Sequence, residues 1–403
     1  MSPRLSLFRR ANSGVLSALF ILNLLLVGCG TVPPRTPLTE ELSQKAAIPG
    51  IPKARIWGDE APDWAINMEP SSPEELNKKV PALYGTRHDY LALSGGGAKG
   101  AFAVGLLLGW SESGTRPEFE MVTGVSTGAL IAPFAFLGPE YDATLKEIYT
   151  GISTKDIFTE RNILIGLTSD AMTDSTPLLK LIQNYVTPQV MNNLATEFRK
   201  GRQLNVATTN LDAGRPVIWN LGEIAASGEP RALELIHKIL LASASIPVAF
   251  PPVLIEVEAE GRQFDELHID GGGASQVYLY PLGIDWRRVT QALNVQGTPN
   301  VYLIRNDHLD PEFEPVEPKV VSIASRSLGS LIRSQGIGDM YRVYLGTQRD
   351  GINYHLAYIP NDFREIPKEP FDREYMIKLF NLGYNLAKKG YEWKTAPPGV
   401  QVK

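Results

Sequence analysis

The 403-residue sequence has only one cysteine, Cys29, so it cannot form a disulfide within the chain, and cysteine usage identifies no redox compartment. It also lacks any long run of Lys or Arg, and its formal net charge is −5, so electrostatics gives no reason to expect a nucleic-acid partner. No group of histidines and carboxylates has the spacing of metal ligands. We therefore predict neither a metal site nor an organic cofactor.

The N-terminus concentrates features that the rest of the chain lacks. Arg4, Arg9 and Arg10 precede an almost uninterrupted apolar run, Val15 to Val27, which is shorter than the ~20 residues of a comfortable membrane span. This pattern predicts a signal peptide over residues 1–28. The run ends in Leu26-Val27-Gly28-Cys29, which resembles the lipobox of bacterial lipoproteins, where the cysteine is lipidated. The alternative is a plain signal peptide or membrane anchor followed by a chance cysteine.

Lipidation of Cys29 would tether the protein to a membrane. Removal of residues 1–28, which hold three Arg and no acidic residue, would change the net charge from −5 to −8. An anionic protein is not drawn to anionic lipid by its charge, so acyl chains are the expected anchor. Gly30 is not the Asp that, by resemblance to other lipoproteins, retains them in the inner membrane. We expect a lipid-anchored protein of the outer membrane, facing the periplasm.

Three segments are predicted beyond the signal peptide. Residues 29–89 hold the anchor, a proline-rich linker with Pro33, Pro34, Pro37, Pro49 and Pro52, and an N-terminal extension. From about Tyr90, short apolar runs alternate with helical stretches, which is typical of an α/β fold. We assign residues 90–285 to a catalytic core and residues 286–403 to a C-terminal α/β extension packed on it. In this extension we predict a helix around Val320 to Arg333, a strand at Asn353 to Tyr358 and a final helix from about Arg373 to Lys389.

The segment Gly124-Val125-Ser126-Thr127-Gly128 is the only G-x-S-x-G in the chain. It lies between a predicted strand and a helix that begins near Ala129, where a serine with small neighbours can point its Oγ over the sheet edge. The N-terminus of the following helix would stabilise negative charge that develops there. A tight turn without a catalytic role is the alternative for so short a pattern.

A second glycine-rich segment, Gly95-Gly96-Gly97-Ala98-Lys99-Gly100, follows the predicted strand Tyr90 to Leu93. It fits the dinucleotide pattern G-x-G-x-x-G, but that site expects a carboxylate at the end of the next strand, where Gly124 to Gly128 lie instead. Three glycines after a strand can instead expose backbone N–H groups as an oxyanion hole. The sequence therefore favours an oxyanion hole over a cofactor site.

A nucleophilic serine needs a base. The histidines after Ser126 are His237, on a predicted helix, His268, within a predicted strand, His308 and His355, and none lies in a glycine-flanked loop. Asp270 differs, because it ends a predicted strand and is followed by Gly271, Gly272 and Gly273. Residues without side chains allow such a carboxylate to approach another loop closely.

These motifs together resemble the patatin-like phospholipase family in content and in order. They are GGGAKG, then G-x-S-x-G, the segment from Ala242 to Pro252, and finally Asp270-Gly271-Gly272, over residues 90 to 285. The resemblance implies a three-layer α/β fold with a mostly parallel central sheet and the nucleophile on a strand-to-helix elbow. It implies a Ser126/Asp270 dyad without histidine, with Gly95, Gly96 and Gly97 as oxyanion glycines. Lys99 stands where many members have Arg, and Asp270-Gly271-Gly272 replaces the more common Asp-Gly-Ala.

The expected activity is hydrolysis of lipid acyl esters, of phospholipase A or lysophospholipase type, through an acyl-enzyme. The alternatives are a general carboxylesterase or acyltransferase, and an inactive envelope-binding lipoprotein that retains the fold. The expected partners are a lipid or ester substrate and the membrane, reached through the N-terminal acyl anchor.

Overall fold

A computed structural model describes residues 35–62, 72–160, 170–311, 313 and 315–400. The predicted signal peptide, residues 1–28, and Cys29 lie outside the described residues. The helices are α1 Glu40–Ser43, α2 Pro73–Lys79, α3 Gly100–Glu112, α4 Thr127–Leu137, α5 Asp142–Gly151, α6 Thr154–Ile157, α7 Thr176–Tyr185, α8 Pro188–Arg199, α9 Leu221–Ala226, α10 Ala232–Ser243, α11 Trp286–Ala292, α12 Val320–Asp350 and α13 Arg373–Lys388. The strands are β1 Arg55–Trp57, β2 Asp89–Leu93, β3 Met121–Val125, β4 Thr159–Glu160, β5 Thr173–Asp174, β6 Gln203–Asn210, β7 Arg215–Asn220, β8 Val253–Ala259, β9 Arg262–Asp270, β10 Asn300–Arg305 and β11 Asn353–Tyr358.

The central sheet has the strand order β1-β7-β6-β3-β2-β10-β11, and the last five strands in this order, from β6 to the edge strand β11, run parallel. The antiparallel strands β7 and β1 continue the sheet beyond β6, and the hairpin β8–β9 joins it through antiparallel pairing of β9 with β6. The carboxyl ends of parallel strands meet at one edge, so the loops after β2 and β3 lie side by side there. The predicted α/β fold with a mostly parallel central sheet is confirmed.

Side chains on the two faces of the sheet belong to different parts of the core, because successive residues of a strand point in opposite directions. Leu91, Leu93 and Val122 pack with α3, α4, α10 and α13 in the larger cluster. Tyr90 and Ala92 face the other side, where side chains of α12 and of the segment after β9 cover them. Helices therefore cover both faces, which gives the three layers that were expected.

The proline-rich segment was predicted as a linker, and for its described part this is wrong. Residues Thr36 and Asp265 exchange two hydrogen bonds, Ala47 bridges to Glu258, and β1 pairs antiparallel with β7. Arg55 forms an ion pair with the buried carboxylate of Glu266. These contacts fix residues 35–57 to the β8–β9 hairpin and the sheet edge, and prolines at Pro49 and Pro52 are tolerated because the segment is mostly turns.

The C-terminal region contributes to the same sheet as the catalytic motifs. β10 pairs parallel with β2, and β11 with β10. The long helix α12 continues to Asp350, well past the end near Arg333 that the sequence suggests. At Gly336 the helix passes close to the guanidinium of Arg305, and a side chain at this position would collide with it.

None of the helices in the described part of the chain is long and apolar enough to span a bilayer.

Candidate active site

Ser126 lies on a sharp turn between β3 and α4. Its backbone has φ 54° and ψ −125°, a conformation that non-glycine residues rarely adopt and that costs about 1–3 kcal/mol. A Cβ at Gly124 would lie 2.5 Å from the carbonyl oxygen of Gly128, and one at Gly128 would collide with the carbonyl of Leu93. The turn therefore requires both glycines of G-x-S-x-G, as the motif predicts.

Ser243, the last residue of α10, holds this turn in place. Its hydroxyl accepts a hydrogen bond of 3.0 Å from the backbone N–H of Ser126 and donates one of 2.7 Å to the carbonyl of Ala207 on β6. Ser243 is fully buried, so neither bond competes with water. The sequence singled out the segment from Ala242 to Pro252 only by family resemblance, and gave Ser243 no role.

Asp270 ends β9 at the same edge of the sheet. Thr208 on β6 is its strand partner, and the neighbouring Ala207 pairs with Val125, the residue before Ser126. The register thus places the carboxyl of Asp270 on the same side of β6 as the turn that carries Ser126. The backbone N–H of Asp270 donates to the carbonyl of Ser245, 2.9 Å away.

The two carboxyl oxygens of Asp270 have different surroundings. Oδ1 accepts a hydrogen bond of 2.7 Å from the N–H of Gly272, while Oδ2 is buried and accepts none from the described residues. Burial raises the pKa of Asp270 to about 7, against smaller lowering effects of the Ser126 hydroxyl and the Gly272 amide. The hydroxyl therefore faces the carboxyl without completing a hydrogen bond, as is common for catalytic groups without substrate.

Gly271 and Gly272 allow the Asp270 loop to approach the sheet. A Cβ at Gly271 would lie 2.5 Å from the carbonyl oxygen of Ala207, and one at Gly272 would lie 2.7 Å from Nε2 of Gln276. Gln276 in turn ties this loop to its neighbours: its Nε2 donates to the carbonyl of Gly272 and its own carbonyl accepts from the N–H of Gly95. Sequence reasoning gave Gln276 no role, since Gly95, the partner of its carbonyl, is distant in the chain.

The glycine-rich loop after β2 faces Ser126. A Cβ on Gly95 would lie 3.2 Å from Cβ of Ser126, and Gly96 and Gly97 have φ of 155° and 56°. A side chain at Gly96 would also collide with the backbone of Asn306. The N–H of Gly95 donates to the carbonyl of Gln276, so of the three predicted oxyanion glycines Gly96 and Gly97 are the better candidates.

Lys99 ends the short 3₁₀ turn Gly97–Lys99 and pairs with Asp307, with 2.5 Å between Nζ and Oδ1. Burial alone would raise the pKa of Asp307, but the cations of Lys99 and Arg305 hold it below its ordinary value. Lys99 thus fastens the glycine loop to the end of β10. Gly100 begins α3 against Thr127, where any side chain would collide with its hydroxyl.

Histidines elsewhere in the chain have structural partners. His268 is fully buried in β9, where its ring nitrogens lie 2.9 Å from Oγ1 of Thr208 and 3.0 Å from Oε2 of Glu266. His237 on α10 bonds the carbonyl of Val186, and His355 lies near Asn300. As predicted for His237 and His268, these side chains serve the fold, and neither is the partner of Ser126.

An apolar cavity opens beside Ser126. It encloses about 750 Å³ of empty space, including the part open to solvent. Gly97, Ser126 and Thr127 stand at the polar end, and the remainder is lined by aliphatic and aromatic side chains: Leu130, Phe134, Ile148, Tyr149, Ile152, Ile157, Leu178, Leu181, Ile182, Tyr185, Val186, Leu240, Ala244, Ile246, Phe250 and Phe371. Such a lining accepts an apolar chain rather than a charged group.

The sequence profile of the patatin-like phospholipase family matches residues 91–282. This part of the chain is a patatin-like phospholipase domain. The match spans both glycine motifs, Ser126 and Asp270, and it confirms the resemblance drawn from the sequence. No curated protein sequence matches the chain at a significant level.

Two solved structures are similar to the chain that carries this patatin-like domain. VipD from Legionella pneumophila has 14% identity and a TM-score of 0.35, with 76% of this chain and 67% of VipD covered. The complex of SpcU with ExoU, from the type III secretion system of Pseudomonas aeruginosa, gives 15% identity and a TM-score of 0.33. There the likeness covers 75% of this chain and only about half, 52%, of the matched chain.

Proposed function

We propose that this protein hydrolyses acyl esters of lipids, as a phospholipase A or lysophospholipase, with Ser126 as nucleophile and Asp270 as base. The patatin-like phospholipase domain supports lipid hydrolase activity. The observation that carries the finer proposal is the buried, unpaired Oδ2 of Asp270 beside the Ser126 hydroxyl, at the mouth of an apolar cavity. A base with a pKa of about 7 is well matched to neutral pH.

In the proposed reaction, Oδ2 of Asp270 accepts the proton of Ser126 as Oγ attacks the ester carbonyl. The N–H groups of Gly96 and Gly97, with the N-terminus of α4, stabilise the resulting oxyanion. Collapse of the tetrahedral intermediate breaks the ester C–O bond, and Asp270 returns its proton to the departing alcohol. Water then attacks the acyl-enzyme, giving its proton to Asp270, and the fatty acid leaves as Ser126 regains a proton.

The apolar cavity favours lipid esters over the general carboxylesterase alternative. A long acyl chain would bury many methylene groups there, each worth ~0.8 kcal/mol, whereas an acetyl group would bury few. We expect kcat/KM for p-nitrophenyl esters to rise with acyl length from acetyl to at least octanoyl. Equal values along the series would favour the general esterase.

A fluorophosphonate probe separates an enzyme from an inactive binding lipoprotein. We expect peptide mapping to find the probe on Ser126 in the native chain and nowhere in Ser126→Ala. Ser153→Ala, a serine at the start of α6, is the matched control and should label normally. A native chain that resists the probe under conditions that label a known serine esterase would favour the binding protein.

We also propose that Cys29 is lipidated and holds the protein at the outer membrane, facing the periplasm. The support is the sequence Leu26-Val27-Gly28-Cys29-Gly30. Because Arg35 already forms an ion pair with Asp212, only the five residues 30–34 separate the anchor from the folded body, and the six steps from Cys29 to Arg35 reach about 20 Å. Cys29→Ser should abolish labelling by radioactive palmitate, and native protein without label in the soluble periplasmic fraction would refute the anchor.

A further inference from the structure

The first half of α12 extends past the edge of the sheet that carries Ser126. Gly336 lies level with Arg305, the last residue of β10, and the helix then descends along the sheet to Asp350. Residues 320–335, which we call the projecting half, precede this contact along the helix and have a length of about 24 Å at 1.5 Å per residue. The C-terminal end of the projecting half is connected to the candidate active site, since Oε1 of Gln335 accepts a hydrogen bond of 3.1 Å from Nε2 of Gln276.

The projecting half exposes an apolar face. Val320, Ile323, Leu328 and Leu331 are 84%, 50%, 43% and 68% exposed, although such side chains normally lie in a core. At 100° per residue they fall within an arc of roughly 140°, on one side of the helix. Exposed apolar side chains grouped on one side of a surface helix mark a binding site for another apolar surface.

The charges around the stripe favour a lipid surface. From Val320 to Gly338 the sequence has no acidic residue and two arginines, Arg326 and Arg333, in a chain of net charge −5. Both arginines fall on the side of the helix opposite the stripe, where Nη2 of Arg333 donates to the carbonyl of Leu309, 2.7 Å away. A helix that is apolar on one side and basic on the other is typical of segments that lie in the interface of a bilayer containing anionic lipid.

A further exposed apolar residue, outside α12, lies at the rim of the cavity. Val248 is 70% exposed with φ of 71°, between Ile246 and Phe250, which both line the cavity. The projecting half and Val248 thus flank the same edge of the sheet, the one where Ser126 opens on the cavity.

We infer that the projecting half of α12 lies in the surface of a phospholipid bilayer while Ser126 receives its substrate. The inference rests on the proposed function for the identity of the substrate, but the contact with the bilayer can be measured without any activity. The binding partner of the exposed stripe is then the headgroup and upper acyl region of a membrane that includes anionic lipid.

Depth-dependent quenching tests the contact directly. Ser327, on the apolar side of the projecting half, is replaced by Cys in the full-length Cys29→Ser chain. A thiol-reactive fluorescent label then has a single attachment site. Gln348→Cys, exposed at the other end of α12, is the control. The protein is bound to phosphatidylcholine vesicles that contain a minority of phosphatidylglycerol and lipids with a nitroxide on the acyl chain. Because interfacial helices bury their apolar face in the acyl boundary, we expect fluorescence of the label at 327 to fall by about twofold or more. Fluorescence of the label at 348 should be unchanged.

Hydrolysis of two substrates then separates binding from chemistry. The double variant Ile323→Ser/Leu331→Ser should lower the rate on vesicles by about tenfold, because lost apolar burial weakens interfacial binding, and leave kcat/KM for a dispersed short-chain ester unchanged. Leu345→Ser, which removes an equally exposed leucine of α12 near its other end, should change neither rate.

An unquenched label at 327 would overturn the inference, as would an equal loss on both substrates. Quenching that fails while the double variant abolishes self-association in gel filtration would assign the stripe to a second copy of the chain instead. If no form hydrolyses either ester, the proposed function fails, but the quenching result still decides the membrane contact.

Discussion

Asp270 lies next to Ser126 at the carboxyl edge of the sheet, because β9 pairs with β6 directly beyond the end of β3, on the side of β6 away from β7. This follows from the register, in which Ala207 pairs with Val125 and the adjacent Thr208 pairs with Asp270. The antiparallel β8–β9 hairpin delivers the carboxyl from the opposite chain direction to that of the parallel strands. In the proposed dyad no histidine lies between the two groups, and burial raises the pKa of Asp270 above that of an exposed aspartate.

The pH profile should report Asp270. Since burial raises its pKa to about 7, the carboxylate form that accepts the Ser126 proton is lost as the pH falls through 7. We expect log kcat/KM for a short-chain ester to fall by one for each pH unit below about 7 and to level off above it. A flat profile between pH 5 and pH 8 would contradict the assignment of this carboxyl as base.

The same carboxyl should make the native fold less stable at neutral pH. An unfolded chain releases the Asp270 proton near pH 4 and the folded chain near pH 7, so between these values the folded state binds more protons and stability falls as the pH rises. Three pKa units correspond to roughly 4 kcal/mol. Asp270→Asn should therefore melt at a higher temperature than the native chain at pH 8, with a much smaller difference at pH 4.

Ser243 should support catalysis without touching the substrate. Ser243→Ala leaves the N–H of Ser126 without its acceptor, so we expect kcat to fall by about tenfold or more, since small displacements of a nucleophile are costly. Ser245→Ala is the matched control: it is equally buried, but its hydroxyl bonds only the carbonyl of Leu241. Equal losses of kcat in the two variants would mean that packing, not the turn, is responsible.

Gly96→Ala should impair the oxyanion hole. A methyl group there would collide with the backbone of Asn306 and displace the loop, so we expect kcat to fall by about 10²-fold or more with little change in KM. Gly85 also has a positive φ, 71°, but has open space around it, so Gly85→Ala should lower only the melting temperature. Stabilisation of the native chain by NAD would instead revive the dinucleotide alternative.

Local patterns in the sequence predicted much of the fold and the candidate site. The strand from Asn353 to Tyr358, the helix from about Arg373, and the turns that carry Ser126 and Asp270 all follow from apolar periodicity and glycine positions. In these elements the local preference agrees with the final packing.

What the sequence did not predict depends on partners far along the chain. The segment around Arg55 was predicted as a linker because its prolines are a local signal. Its strand partner lies some 160 residues away, and the local sequence does not indicate it. Ser243 and Gln276 act through hydrogen bonds to Ser126 and Gly95, and nothing in their own neighbourhoods marks them. The helices α7 and α8 were not predicted, although Pro177 and Pro188 in their first turns are helix-start signals.

The most direct test of the Ser126/Asp270 dyad is a double-mutant cycle on hydrolysis of a short-chain ester. Because the two groups act as a unit, we expect Ser126→Ala, Asp270→Asn and the double variant each to lose about 10³-fold or more in kcat, with the double loss no greater than either single loss. Circular dichroism and melting curves establish that each variant is folded. Native-like activity in folded Asp270→Asn, or losses that multiply in the double variant, would contradict the account.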